Sequence, residues 1–591
     1  MIAEIVAINI RTNNNIKGID INKTIYKIIL MADDTTLFIS DLASLEYCIQ
    51  EFLLFEQCSG LKLNIAKTEI IPIGKLKQNK PVLKGNLVQI KIKELPFKAL
   101  GVWYSDNEAE VSTLNTNDRI HKINVNLNMW RARKLSLKGK IMIIKTLILP
   151  QIQFLFALIH MDSKILQHID TILFQFLWNG KPAKIKRSTM IAPIEQGGLK
   201  MIDTHEVHNA SKIGWIKRLF DTNNGKWKTL FKYMLNMDEH FLCRNYIKNA
   251  NRIGKTLFHQ QVLNSWNILT TEVPTKLNQI LDQKLIHNNY IKIGGRAIAF
   301  DSYKATDPKI YHIIDNNGKF IPLQVAKQVI SRDLNELSYN SIKTAIPKNW
   351  REIIKKDIKE SEISISDGHM PHICVSQNLV PIIKLKNKQI YNKLIEKKTN
   401  SPTAINTWIN IYPFLEKIHW KNIYNTNTKI TKEPYLQSFN YKILNRITNC
   451  NHNLHKWGLS NNNTCAYCPM VDTIEHHFFD CPVVKNMWTK LEIWLKDNQD
   501  IIHNFKLCEI LLGVPEPYFN DIDTFTIINY MSLILKWYIN QQRTLKEIPY
   551  FIDFLSILRN KLIILTYTNT QEIQPGEMNG EDWKVHLLDS L

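Results

Sequence analysis

"KIILMADDTTLFIS", residues 27–40, sets two adjacent acids, Asp33 and Asp34, between two runs of apolar and β-branched residues. Such flanks predict short strands, with the acids at the tip of the hairpin that joins them. Two like charges at a tip repel each other unless a multivalent cation lies between them. Phosphoryl and nucleotidyl transfer use such a platform: two ions about 3.5–4 Å apart activate the attacking oxygen and stabilise the leaving one. Acids also favour turns for local reasons, so the pair by itself leaves a plain structural turn open.

Around this stretch lie 591 residues, enough for roughly four domains and for buried cores. Lys and Arg number 75 against 54 Asp and Glu, a formal charge of +21 that favours a polyanionic partner such as nucleic acid. The N-terminal "MIAEIVAINIRTNNN" has no basic n-region followed by a long apolar core, and the expectation is an intracellular protein. Nine cysteines, odd in number and mostly isolated, argue against a disulfide framework. One run, residues 141–161, is apolar enough to suggest a membrane span, but it contains Lys145, Pro150, Gln151 and Gln153. A lysine at the bilayer centre costs about 2.5–3.5 kcal/mol. The reading is a buried helix pair broken at the proline, and no membrane partner.

Beyond the hairpin, Leu45, Cys48, Phe52 and Phe55 recur at helical spacing up to Gly60, while Val88, Ile90 and Ile92 alternate as in a strand. The first hundred residues therefore read as α+β. From about residue 118 the pattern turns helical, with Ile123, Leu127 and Trp130 on one stripe and Ser136 as N-cap of a following helix. Between Arg119 and Lys145 stand eight Lys or Arg and no Asp or Glu. A solvated helix face usually mixes both signs, so the run marks Arg131, Arg133, Lys134, Lys138 and Lys140 as candidate contacts to a nucleic-acid backbone. Trp130, Trp178, Trp457 and Trp488 sit at spacings more typical of core than of base stacking.

A second cluster, "CAYCPMVDTIEHHFFDC", holds Cys465, Cys468, His476 and Cys481 at a Cys-x2-Cys-x7-His-x4-Cys spacing, with His477 as a competing ligand. Thiolates and imidazole suit one tetrahedral zinc, and a Cys-x-x-Cys turn places two sulfurs on the same ion.

"MADDTTLFIS", followed by "SGLKLNIAKTEIIPIG" and "FKALGVWYS", resembles the late palm of reverse transcriptases from non-LTR (LINE-type) retrotransposons. The resemblance continues through "WRARKLSLKGKIMIIKTLILP", "FLWNG", "EQGGLKMID", "FNYKILNRI" and the cysteine cluster. It implies that Asp33 and Asp34 bind magnesium, with Met31 where the family has an aromatic residue. It also implies that Lys67 lies near the incoming nucleotide's phosphates and that "FKALGVWYS" forms the primer grip. Among the zinc ligands it selects His476, because "FF" and Cys-Pro follow it. The family's first catalytic Asp strand and the Gly-containing segment after it have no counterpart here. Asp20 and Glu4 are the only acids before the hairpin.

The expected architecture is an α+β palm remnant at the N-terminus, a mostly α-helical thumb and connector, and a small zinc module near the C-terminus. In residues these are a partial palm (1–105), a thumb-like region (106–235), a connector (236–430), the zinc module (431–500), C-terminal helices (501–570) and an acidic tail (571–591). The expected function is that of the C-terminal portion of an RNA-directed DNA polymerase, inactive alone, with magnesium and zinc as cofactors. Its partners would be an RNA template, a DNA primer or target, and an upstream polymerase segment. By resemblance its location is nuclear and cytoplasmic. The alternative is a non-catalytic RNA- or DNA-binding protein derived from such an enzyme.

Overall fold

The computed structural model describes residues 2–78, 83, 88–223, 225–237, 242, 247, 250–270, 274–286, 288, 290–298, 308–331, 333–358, 370–375, 378–514, 522–570 and 582–591. Helices dominate. The described strands pair two by two in six separate ladders, and none extends into a larger sheet. The chain divides into two compact units. One comprises Met1–His121, Ile152–Gln167 and Thr204–Leu394; the other comprises Lys122–Gln151, His168–Asp203 and Ile395–Leu591.

In the first unit the helix Ile2–Thr12 buries Val6, Ala7 and Ile10 in a small core with Ile28 and Cys48. Ile28 opens the strand Ile28–Met31, which pairs antiparallel with Asp34–Leu37. Met31 faces Asp34 across the ladder, so Ala32 and Asp33 form a two-residue turn. Ala32 takes φ +54°, a left-handed conformation that costs a residue with a Cβ about 1–2 kcal/mol. The helix Leu42–Ser59 follows; the Asp41 carboxylate accepts the Ser44 N–H at 2.8 Å, and Gly60 ends the helix at φ +71°. Deeper in this unit, Thr204–Leu219 and Leu257–Thr270 pack through Ile213, Ile216, Val262, Leu263 and Trp266.

Residues 141–161 do not form a helix pair broken at Pro150. A single helix runs from Leu137 to Leu158, with a π turn over Ile144–Ile148 just before the proline. There the Leu149 N–H bonds to the Ile144 carbonyl, five residues back. The extra residue in that turn shifts the carbonyls with which the proline ring would collide in a regular helix. Among the described residues this helix alone is long and apolar enough to cross a membrane by length and composition. Ile141, Ile144, Ile148, Ile152, Leu155 and Phe156 are buried within the protein, whereas Met142, Leu147 and Phe154 are exposed.

The second unit contains a large core around the helix Ile522–Leu545, whose Ile528, Met531, Ile534, Leu535, Tyr538 and Ile539 are fully enclosed. Trp408 and Trp488 lie in the same core, and their indole N–H groups donate to the Leu444 and Phe478 carbonyls at 2.8 and 2.7 Å. Residues 571–581 of the expected acidic tail lie outside the described residues. At its end Asp582–Asp589 is helical, and Trp583 and Leu587 join the core. Burying these apolar side chains is what favours docking of the helix.

Trp488→Ala empties a buried site and leaves the Phe478 carbonyl without its donor. The expected loss is about 3–5 kcal/mol, read as a shift of the urea midpoint. A loss under about 1 kcal/mol would mean that the core closes over the cavity.

Candidate metal centre and basic face

The Cys-x-x-Cys turn is built by a backbone bond from Cys465 N–H to the Met470 carbonyl, 2.8 Å, and by the Tyr467 N–H, which points at the Cys465 sulfur from 3.3 Å. The other two ligands come from a π turn, His476–Asp480, and the residue that ends it, Cys481. Its bond from the Cys481 N–H to the His476 carbonyl, 3.3 Å, draws Cys481 back beneath His476. Pro482 then starts the helix Pro482–Gln499, where a proline costs no intrahelical bond.

The sulfurs of Cys465, Cys468 and Cys481 and a ring nitrogen of His476 all lie within 4.8 Å of one another. Cys465 Sγ and Cys481 Sγ are 3.8 Å apart, and Cys468 Sγ is 3.2 Å from His476 Nε2. Two thiolates each about 2.3 Å from one tetrahedral zinc stand about 3.8 Å apart, so spacing and donor set both fit that ion. With four protein ligands the site leaves no position for a substrate, which is the pattern of a structural zinc. Burial lowers the His476 pKa and so favours the neutral, ligating imidazole. Burial also pushes the Cys465 thiol up, but the Tyr467 N–H and the Arg543 guanidinium outweigh it and hold the thiol below its usual range.

Around the ligands is a layer that the spacing does not disclose. Arg543, near the end of the helix Ile522–Leu545, donates from Nη1 to Cys465 Sγ at 2.9 Å and to Asp472 Oδ1 at 3.2 Å. Asp472 also faces His477 Nδ1 at 3.2 Å and accepts the Asn451 N–H at 2.8 Å. Burial raises the Asp472 pKa, yet the His477 hydrogen bond, the Asn451 N–H and the Arg543 charge bring it below the ordinary carboxylate value. His477 is thus a partner of Asp472 beside the ligand His476. The only trace of Arg543 in the sequence is a cation in a largely apolar helix, 78 residues from Cys465.

Asp33 and Asp34 are both exposed, Asp33 in the turn and Asp34 at the start of its strand. Lys67 is exposed at the end of the short turn Ile65–Lys67, which Asn64 caps by accepting the Lys67 N–H at 3.2 Å. Asp20 belongs to a different ladder, opposite Ile25. Among the described residues the Cys3His cluster is the one group of three or more His, Cys, Asp or Glu close enough to hold a metal, and neither hairpin acid belongs to it.

The basic run divides. Arg131, Arg133 and Lys134 are exposed, with the Arg133 guanidinium 4.9 Å from the Trp130 ring centre. Lys138 is half-buried, and its ammonium donates to the Gln437 side chain. Lys140 does not belong on a phosphate-binding surface. It is 5% exposed, and its ammonium donates to the Phe176 and Leu177 carbonyls, both at 3.1 Å, and to the Asn179 side chain. It closes the C-terminus of the helix Ser163–Leu177, where unpaired carbonyls and the helix dipole attract a cation.

Residues 386–488 match the family model described as zinc-binding in reverse transcriptase. The resemblance to the C-terminal region of LINE-type reverse transcriptases is borne out. All four metal ligands of this zinc-binding region fall inside the match. The chain is also similar to the Transposon TX1 uncharacterized 149 kDa protein of Xenopus laevis, 24% identical over 277 residues. That stretch is 44% of this chain and 21% of the Xenopus protein, so the chain spans about a fifth of the length of this relative.

Purified protein is expected to hold about one zinc, lost on Cys465→Ser or Cys481→Ser. His477→Ala should keep the zinc but lower stability by about 1–3 kcal/mol, because Asp472 loses a buried partner. Loss of zinc from His477→Ala with retention in His476→Ala would exchange the two histidines' roles. Lys140→Met should destabilise by about 1–3 kcal/mol through its orphaned carbonyls while leaving the salt dependence of nucleic-acid binding unchanged. A flattened salt dependence would return Lys140 to the surface.

Proposed function

We propose that this chain is the C-terminal, nucleic-acid-binding portion of a LINE-type RNA-directed DNA polymerase. The observation that carries this reading is the four-ligand Cys3His cluster inside the stretch that matches the reverse transcriptase zinc-binding region. Zinc bound there fixes the fold of the module and performs no chemistry on a substrate. The net charge of +21 and the exposed Arg131, Arg133 and Lys134 supply the electrostatic attraction for RNA template and DNA primer or target. Such a protein works in the nucleus and cytoplasm.

In the parental reaction a DNA 3′-hydroxyl attacks the α-phosphorus of an incoming nucleotide and pyrophosphate leaves. Asp33 and Asp34 are the residues of this chain that would hold magnesium for that step, and Lys67 would face the nucleotide's phosphates. The left-handed Ala32 supports a functional role for the turn, since strain of this kind concentrates at sites. Two exposed carboxylates are nevertheless an incomplete platform for two ions, and no third joins them among the described residues. No catalytic step is therefore assigned to this chain by itself. The same observation favours the second reading, a non-catalytic nucleic-acid-binding protein with a structural hairpin.

Primer extension separates the two. The chain alone should give background synthesis on a primed RNA template. Fusion to a reverse transcriptase fingers and palm segment ahead of Met1 should give activity that Asp33→Ala removes. Activity of the fusion that survives Asp33→Ala would make the hairpin structural. Robust extension by the unfused chain, abolished by Asp33→Ala, would mean that another acid of this chain, such as Asp20, completes the site. Independently, neutralising Arg131, Arg133 and Lys134 to Gln should flatten the dependence of log K on log salt by about 0.7–0.9 for each phosphate left without its cation.

A further inference from the structure

Arg543 lies outside residues 386–488, the stretch that matches the zinc-binding family model, yet it meets the metal centre at three points. Its Nη1 donates to Cys465 Sγ at 2.9 Å, its Nη2 is 3.5 Å from the His476 carbonyl, and its guanidinium carbon is 4.7 Å from the centre of the Tyr467 ring, inside the Cys-x-x-Cys turn. The same Nη1 is 3.2 Å from Asp472 Oδ1, so one nitrogen stands between a ligand sulfur and a buried carboxylate.

The fold fixes that nitrogen from both sides. Just before Arg543 on the helix Ile522–Leu545, Tyr538 and Ile539 are enclosed in the core. Just after it the chain turns, with Lys546 at φ +63°. The Lys546 N–H bonds to the Arg543 carbonyl at 3.2 Å and the Glu547 N–H to the Gln542 carbonyl at 2.9 Å. The Tyr467 hydroxyl then donates to the Glu547 carbonyl at 2.7 Å and ties this helix end to the Cys-x-x-Cys turn.

Charge explains why an arginine stands there. Zinc held by three thiolates and a neutral imidazole carries one excess negative charge, and the Asp472 carboxylate adds a second beside it. Two buried anions side by side repel, and a cation hydrogen-bonded to both removes the repulsion. A guanidinium does so with a planar fork of donors, which an ammonium lacks.

We propose that Arg543 is the counter-ion of the zinc–thiolate centre, a positioning residue supplied from beyond the matched stretch that sets how tightly the four ligands hold the metal. The helix Ile522–Leu545 is then part of the metal site, which the ligand spacing alone would end at Cys481. This role presupposes the Cys3His centre and is independent of the nucleic-acid reading.

The test is competition for zinc against a chromophoric chelator, with the full chain at fixed pH, together with the absorption of cobalt(II) bound in place of zinc. Arg543→Met should weaken zinc binding by about 10–100-fold, the range for loss of an outer partner of a metal ligand. It should also move the sulfur-to-cobalt charge-transfer band to lower energy, because a thiolate without its N–H donor gives up electron density more readily. Ile528→Ala opens a cavity in the same helix about 22 Å along its axis from Arg543, and it should leave both affinity and band unchanged. Arg543→Lys keeps the charge but not the fork, and should show both changes in lesser degree; it carries the test if Arg543→Met does not fold. Affinity and band both unchanged in the folded variant would overturn the role. So would an affinity that falls while the band stays in place, which would make Arg543 a support of the fold only. Either result leaves Cys465-dependent zinc uptake, and the function proposed above, standing. Metal uptake that does not depend on Cys465 would overturn the centre itself and this role with it.

Discussion

The buried carboxylate of Asp472 is the point on which the zinc-binding region turns. A charged group in an apolar interior is tolerated only when it is paired and hydrogen-bonded, and Asp472 has the Arg543 guanidinium, the His477 ring and the Asn451 N–H. Each partner comes from a different element. Through Asp472 the long core helix Ile522–Leu545, the π turn with two metal ligands and the short helix Asn451–Lys456 are locked to one another. Arg543 completes the lock by also donating to Cys465. A guanidinium beside a thiolate stabilises the ligating form of the sulfur, so one side chain serves both the fold and the metal.

The surplus of positive charge is divided between two uses that physical chemistry keeps apart. Some lysines are interior hydrogen-bond donors. Lys140 closes a helix end, Lys212 donates to the Ile159 carbonyl beneath the Phe258 ring, and Lys536 reaches the Ile510 carbonyl at 2.6 Å. Burial lowers the pKa of all three, that of Lys536 to about 7. Such groups add little to the external field. The charge carried at the surface is the remainder, Arg131, Arg133 and Lys134 among it. A count of Lys and Arg measures the sum of both uses and cannot divide them.

The ligand set is legible in the sequence because four zinc ligands fall within seventeen residues, and a Cys-x-x-Cys turn fixes two sulfurs by local geometry alone. The hairpin is legible for the same reason: β-prone flanks around a two-residue turn need no distant partner. Where the structure departs from expectation, the deciding contact is one that the sequence pattern does not display. Pro150 has the look of a helix end, but a π turn one residue earlier accommodates it. The C-terminal "WKVHLLDSL" has Gly, Pro and acidic surroundings typical of a loose tail, yet Trp583 and Leu587 have a core to enter. Lys140 sits in a run of exposed cations, and only the arrival of residues 176–179 at its ammonium shows why it is buried.

By itself, then, the sequence determined the local devices: a Cys3His metal set, an acidic hairpin tip, capped helices and a basic balance. These depend on residue type and short spacing, which the chain carries wherever it folds. The tertiary structure alone decided that Arg543 stands behind the metal ligands and which cations remain at the surface. Those outcomes rest on contacts between residues tens to hundreds of positions apart. No periodicity records them, because the energy that selects them is the pairing of buried polar groups in the packed core.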